Sequence, residues 1–288
     1  RKDIHSTEFI GGGFYTPPLV NLDNIKKLKA GLSNKGIDIP LIGSCRVDTP
    51  ANVRTMVNDG DAIAGVSRLS LDDPDFPKKM FEGRENEIRK STHTGASLLQ
   101  GNIFGKGWAG SPQNAAFGRD KDYRIRATAC PKKIVIVGGG AGGMEYARTA
   151  KLIGHEVVLF ERKNRLGGVM EWAGNYDNLP NMETIGYETD YLKEQMRLLD
   201  VDVRLGHTAN TVDLLAESPD VVVIATGASA RVPVDIKGLE TGLKTGKVLT
   251  IDQVMDRDNP ADPGQTVLIY GAGEGMELAV NLHRQGRT

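Results

Sequence analysis

The sequence predicts an α/β fold of parallel strands containing a dinucleotide-type β-α-β unit. Three observations predict it. Ile134–Val137 is a short β-branched run bounded by glycine, too short for a helix, which reads as a buried parallel strand. Gly138, Gly140 and Gly143 follow at G-x-G-x-x-G spacing. Residues 1–90 alternate strand-like and helix-like segments, as parallel β-α units do.

In chain order, Asn24–Leu32 places Ile25, Leu28 and Leu32 on one side of a polar-faced helix. Ile39–Gly43 reads as a short apolar strand and Pro50–Asn58 as a helix with Val53, Met56 and Val57 inward. Ala62–Val66 is a second strand. The connections Gly43-Ser44-Cys45-Arg46 and Val66-Ser67-Arg68 lie just after strands, where barrels and doubly wound sheets keep their ligands. Ser44 and Ser67 offer hydroxyls and amides, and Arg46 and Arg68 offer forked donors, so both turns could clamp one phosphate. Surface arginines that cap helices or pair with Asp48 and Asp72 fit the spacing equally well. Gly101–Asp122 is rich in Gly, Ser, Asn and Ala and reads as a long connection, with Trp108 as a packing anchor.

The central unit is the most specific feature. The first glycine permits a tight turn, the second lets backbone approach a pyrophosphate, and the third brings helix against strand. A helix from about Gly142 to Ile153 aims its amides, with those of Ala141 and Gly142 at its start, at the phosphates. Gly154 closes that helix, Glu156–Phe160 is the second strand, and Glu161 stands at its end. Glu161 follows Gly143 by about 18 residues, near the place of a ribose-hydroxyl acceptor. An ordinary crossover with a surface glutamate is the bland alternative. The ordered context favours an adenine dinucleotide or ADP.

Further on, Tyr187–Leu199 is an amphipathic helix, Val201–Leu205 a strand, and Asp220–Ala228 a buried strand running into a small-residue turn. Thr266–Gly275 reads as the start of a second nucleotide-binding domain. Gly271 and Gly273 fit the motif there, but Met276 stands where the third glycine belongs and would hold helix from strand.

Bulk composition is ordinary for a globular protein, with 39% hydrophobic and 25% charged residues among 288. A net charge of -1 gives no electrostatic case for nucleic acid or a membrane surface. No apolar run approaches a membrane span and no signal peptide opens the chain. Two cysteines, Cys45 and Cys130, exclude a disulfide framework and point to a reducing, cytoplasmic setting.

The runs Asp72-Asp73-Pro74-Asp75-Phe76-Pro77-Lys78-Lys79, Glu82-Gly83-Arg84 and Glu87-Ile88-Arg89 resemble the last barrel turn of the flavin reductases that carry an old-yellow-enzyme barrel. The trimethylamine and dimethylamine dehydrogenases and the 2,4-dienoyl-CoA reductases are the branches most similar to it. The resemblance covers nearly the whole chain in the same order. It implies the C-terminal part of an FMN-binding (β/α)8 barrel over 1–90 and a connecting segment over 91–130. An FAD- or ADP-binding Rossmann domain over 131–228 and an incomplete second nucleotide domain over 229–288 follow. Both ends then read as truncated. The chain would begin near the sixth barrel strand, Asp3-Ile4-His5, so no catalytic residue can be named, and His5 reads as a structural or surface histidine.

The resemblance places Ser44, Arg46, Ser67 and Arg68 on the FMN phosphate side. It also implies a [4Fe-4S] cluster, but Ser91, Thr94, Ser97 and Ser111 stand where relatives have cysteines, and hydroxyls cannot replace thiolates. No metal site is therefore expected, and His93 reads as a solvated histidine. In similar flavoproteins an acid is followed by a basic, glycine-ended turn, here Glu161, Arg162 and Gly168. A second signature, Ala225-Thr226-Gly227, passes close to the cofactor. The implied function is hydride transfer between FMN and a small organic substrate, most like oxidative N-demethylation by an amine dehydrogenase. Tyr187, Asp190, Tyr191, Gln195 and the run Val248–Asp256 favour that branch, whereas a missing aromatic near Gly101 opposes it. The alternatives are an NAD(P)H-dependent enoate or 2,4-dienoyl-CoA-type reductase and, in another class, a non-catalytic nucleotide-binding subunit or fragment. Open sheet edges favour a homo-oligomer or a complex with other chains.

Overall fold

The computed structural model describes residues 16–93, 111–174, 176, 179, 182–230, 232–233, 235–271 and 273–288. The expectations for His5, Thr94, Ser97, Gly101 and Trp108 lie outside the described residues. The chain divides between Arg126 and Ala127 into two compact units.

The first unit contains α1 (Leu22–Ser33), β1 (Ile42–Gly43), α2 (Pro50–Asn58), β2 (Ile63–Ala64), α3 (Arg68–Asp72), α4 (Phe76–Phe81) and a 3-10 turn at Glu85–Glu87. Strands β1 and β2 are parallel, with Ile42 opposite Ile63 and Gly43 opposite Ala64. Both are shorter than the apolar runs that contain them. Pro40 has no N–H to give a ladder, which stops the first run early.

Helix α2 has the predicted bounds because its start is doubly specified. The Thr49 side chain accepts from Asn52 N at 3.2 Å, and Pro50 occupies the first turn. Met56 is fully buried among Leu41, Val47, Ala62 and Val53, where a Cβ on Gly43 would stand 2.1 Å from its sulfur. Val57 and Leu28, expected inward, are exposed instead. Each sits to one side of its helix's apolar stripe, which Met56 on α2 and Ile25 and Leu32 on α1 already fill.

The second unit contains β3 (Lys133–Val137), α5 (Ala141–Ile153), β4 (Glu156–Phe160), α6 (Met170–Ala173), α7 (Glu183–Leu198), β5 (Asp202–Arg204), α8 (Thr211–Ala216), β6 (Val221–Ile224), α9 (Leu239–Lys244), α10 (Ile251–Val254) and α11 (Glu274–Arg284). Its four strands lie in the order β5-β4-β3-β6, all parallel. The chain winds outward from β3 to β5, then returns to pair β6 on the other side of β3. That reversal puts a switch point, where doubly wound sheets take ligands, between β3 and β6.

On one face Ile134, Ile136, Val157 and Leu159 pack against Met144, Ala147 and Ala150 of α5 and Tyr191, Leu192 and Met196 of α7. Val135, Val158 and Phe160 fill the other face beside Leu214 of α8. At β3 and β4 the sheet is buried on both sides, which explains their continuous Val and Ile. Strand β6, expected to be a buried strand, instead leaves Val222 and Ile224 exposed at the edge of the sheet. Gly154 caps α5 in the left-handed conformation, φ 104°, where glycine is favoured.

The expected strand after Thr266 joins no ladder among the described residues. Val267 N donates to Thr288 O at 2.7 Å, and Leu268 and Tyr270 are exposed. Helix α11 turns Gly275 toward Ile269, with 3.3 Å from an added Cβ to its methyl, while Met276 faces solvent, so the clash expected of Met276 does not arise. No helix among the described residues is long and apolar enough to cross a membrane.

Candidate nucleotide-binding site

The glycine loop lies between β3 and α5, at the carboxyl end of the sheet, and its glycines divide into two kinds. Gly138 (φ 110°) and Gly143 are pressed against backbone. A Cβ on Gly138 would stand 2.3 Å from Ala225 O, and one on Gly143 would stand 2.0 Å from Gly138 O. Gly140 and Gly142 are open: a Cβ on Gly142 would meet nothing within 4 Å, and one on Gly140 only Gly168 Cα at 3.9 Å. The loop is thus locked from beneath and bare on its outer face. Gly140 is the N-cap of α5, so the amides of Ala141, Gly142 and Gly143 fall in a first turn without intrahelical acceptors. A bare cradle of amides at a helix start fits an anionic phosphate.

Glu161, at the end of β4, is buried and reaches back to this loop. Its Oε2 accepts from Gly139 N at 2.6 Å and its Oε1 from Lys163 N at 2.8 Å. Two amide bonds fix the carboxylate while leaving lone pairs for a further donor. Gly167 (φ 126°) and Gly168 (φ 59°) close the far side, where Gly167 N donates to Gly139 O at 2.8 Å. Arg162 is exposed beside Glu161, and Ala225 N donates to Val137 O at 2.8 Å where β6 gives way to Thr226 and Gly227. The structure therefore brings Gly138, Gly140, Gly143, Glu161, Gly168 and Ala225 into one place. Sequence reasoning missed Gly139 and Gly167, for which the Gly138-Gly139-Gly140 run and the paired Gly167-Gly168 were the available signals.

In the first unit Arg46 is not a surface arginine. It is buried, with Nε 3.0 Å from Asp48 Oδ2 and Nη1 2.9 Å from Thr16 O. Asp48 also accepts from Asn52 Nδ2 at 2.6 Å and lies 2.7 Å from His93 Nε2. Burial alone would raise the Asp48 carboxyl, but contact with His93 and the charge of Arg46 outweigh it and hold it below the usual carboxylate range. His93 is therefore buried and paired, contrary to the solvated histidine expected. Burial pushes its imidazole down against the pull of Asp48. Burial and then the nearby Arg46 charge lower the half-buried Arg68 guanidinium. Ser44 and Ser67 are exposed, and Ser67 begins α3 without a side-chain capping bond. Cys45 (φ 86°) and Arg46 (φ 54°) hold left-handed backbone rarely adopted outside glycine, a strain concentrated where the arginine turns inward.

The described hydroxyls at the cysteine-like positions are committed to the protein. Ser111 Oγ bonds Asp72 and accepts from Asn114 N at 2.9 Å, and Ser91 Oγ accepts from His93 N at 3.3 Å. Neutral hydroxyls engaged in this way do not fit an iron–sulfur cluster. Among the described residues no group of histidine, cysteine or carboxylate side chains could hold a metal ion. Tyr191 and Gln195 of α7 are buried, Tyr191 in the core under the Arg148 guanidinium, so their likeness to the amine branch belongs to packing.

A family model described as pyridine nucleotide-disulphide oxidoreductase matches residues 94–176. An NADH oxidase from Thermoanaerobacter brockii is 34% identical over 255 residues, covering 88% of this chain and 38% of that protein. A probable N-methylproline demethylase from Rhizobium meliloti (strain 1021) is 30% identical over 244 residues, covering 84% and 34%. The solved structure of a 2-naphthoyl-CoA reductase complex superposes with a TM-score of 0.78 at 27% identity, covering 96% of this chain and 40% of that one. The chain spans 40% or less of each of these proteins. With these similarities beside a parallel α/β fold, the chain belongs to the old-yellow-enzyme-like NADH:flavin oxidoreductase family.

Proposed function

We propose that this chain is part of a flavin-dependent oxidoreductase whose residues 131–228, a Rossmann-type domain, bind ADP or the ADP half of FAD. The observation that carries the reading is the bare face of Gly140 and Gly142 at the start of α5, with Glu161 anchored beside it. Backbone amides of Gly140 to Gly143 would receive the phosphates, and the free lone pairs of Glu161 would receive a ribose hydroxyl. Arg162 would lie over the adenine side, with Gly168 and the Ala225-Thr226-Gly227 turn along the cofactor.

Residues 1–90 would form the C-terminal part of an FMN barrel, with Ser44, Ser67, Arg68 and the Asp48-anchored Arg46 on its phosphate side. Bound flavin supplies hydride acceptance or donation; the chain contributes orientation and electrostatics. The likeness to a demethylase favours oxidative N-demethylation of a small amine. A second reading, reduction of an activated double bond with NAD(P)H, is favoured by the likeness to an acyl-CoA reductase. The hydroxyls in place of cluster thiolates favour the third, a nucleotide-binding subunit without catalysis.

Titration of the chain with ADP, FAD and FMN, with a visible spectrum of each complex, tests the reading. ADP binding is expected, weakened about tenfold or more in Glu161→Ala through loss of a charge-assisted hydrogen bond. Absence of binding, or binding indifferent to Glu161→Ala, would sink it.

A further inference from the structure

We propose that Glu171 is a positioning residue for the glycine loop, its charge fixing the Gly167–Gly168 turn against Gly139 and Gly140. Glu171 sits in α6, and its side chain is only 12% exposed. Three cations from three segments converge on its carboxylate. Lys193 Nζ of α7 lies 2.5 Å away, Arg257 Nη1 from beyond α10 lies 3.2 Å away, and Arg165 Nε of the turn itself lies 3.7 Å away. The same side chain fills the space a residue larger than glycine would need at 167, since an added Cβ there would stand 2.5 Å from Glu171 Cγ and Oε1. Gly167 in turn holds Gly139 O, and an added Cβ on Gly168 would lie 3.0 Å from Gly140 Cα. The path from Glu171 to the loop is therefore a direct one, through a single turn. Two further ties hold that turn: Lys163 Nζ to Asp256 Oδ2 at 3.3 Å, and Arg165 to Asp258.

An incidental surface salt bridge would be exposed and involve one partner. This carboxylate is largely enclosed and holds several. The sign of the effect separates positioning from simple electrostatics. On charge alone, removing Glu171 would leave three cations beside the loop and tighten anion binding. If it positions the loop, its removal weakens binding. The consequence for nucleotide rests on the proposed ADP reading, whereas the effect on the loop does not.

The test uses the full chain, Glu171→Gln, which keeps the side-chain volume, and Arg257→Gln, which removes one of the three cations. Glu240→Gln, in an exposed pair with Lys244 on α9, is the control. Amide hydrogen exchange without ligand should be about tenfold faster at Gly139 and Gly167, whose amides are hydrogen-bonded to Glu161 Oε2 and Gly139 O, in Glu171→Gln, less so in Arg257→Gln, with β4 unchanged. ADP affinity should fall about tenfold in Glu171→Gln and not in the control. Wild-type exchange in Glu171→Gln, acceleration spread over the whole sheet, or tighter ADP binding overturns the proposal. A wild-type protein that binds no ADP defeats the nucleotide reading instead, and the exchange comparison still decides the role of Glu171.

Discussion

At the scale of single residues, Asp48 carries the most consequence in the first unit. It neutralises a buried guanidinium, receives Asn52 and faces His93. Asp48→Asn keeps the shape but removes the buried carboxylate 3.0 Å from Arg46 Nε and 2.7 Å from His93 Nε2, which costs about 3 kcal/mol, measurable by chemical denaturation at pH 7. Its pKa is lowered in the fold, so its contribution is complete above the ordinary 3.8 and is lost as pH falls through the lower folded value. His93, held below its ordinary 6.5, resists protonation when folded, so stability also declines as pH falls below 6.5. A denaturation series from pH 7 to 3 should decline in both ranges, and Asp48→Asn should flatten the lower one. The pairing of Arg46 with Asp48 was one of two readings the sequence left open. His93 was not legible, because its partner lies 45 positions earlier and only folding brings the two together.

At the scale of elements, the β-α-β unit could be read from sequence because every one of its constraints is local. Strand, glycine turn, helix, glycine stop and second strand each specify their own conformation, and β4 has the predicted ends, Glu156 and Phe160. Strands β1 and β2 came out short because apolar runs reveal composition but not where a ladder finds its partner. Adjacent glycines of α5 give a sharp test. Gly143→Ala drives a methyl into Gly138 O and should lower stability by about 2 kcal/mol. Gly142→Ala meets open space in the first turn and should be neutral or stabilising by up to about 1 kcal/mol, yet should impair ADP binding by covering the bare face. Thermal melts with ADP titration of both variants check the contrast; equal behaviour in both would mean that the loop's two sides do not differ.

At the scale of the whole molecule, apolar surface stays uncovered beside the first unit's short sheet. Ile42 is 67% and Ile63 56% exposed, on strands that pair with each other. We propose that this face associates with a copy or another chain. Ile42→Ser combined with Ile63→Ser should shift sedimentation toward the monomer, and an unchanged distribution would place any association elsewhere. Composition cannot reveal such a face, since the same isoleucines would read as core.

The strand order also sets an order of events in time. Contacts joining β3 to β4 span short stretches, such as Lys132 to His155, 23 residues apart, whereas β6 is anchored to β3 through Lys133 and Asp220, 87 residues apart. Closing the longer loop costs more chain entropy, so the β3-α5-β4 crossover unit is expected to form first and β6 to dock last. Gly138 meets Ala225 only at that final docking. The cradle for phosphate is then the last part of the unit to mature, and in refolding kinetics ADP would slow unfolding far more than it speeds folding.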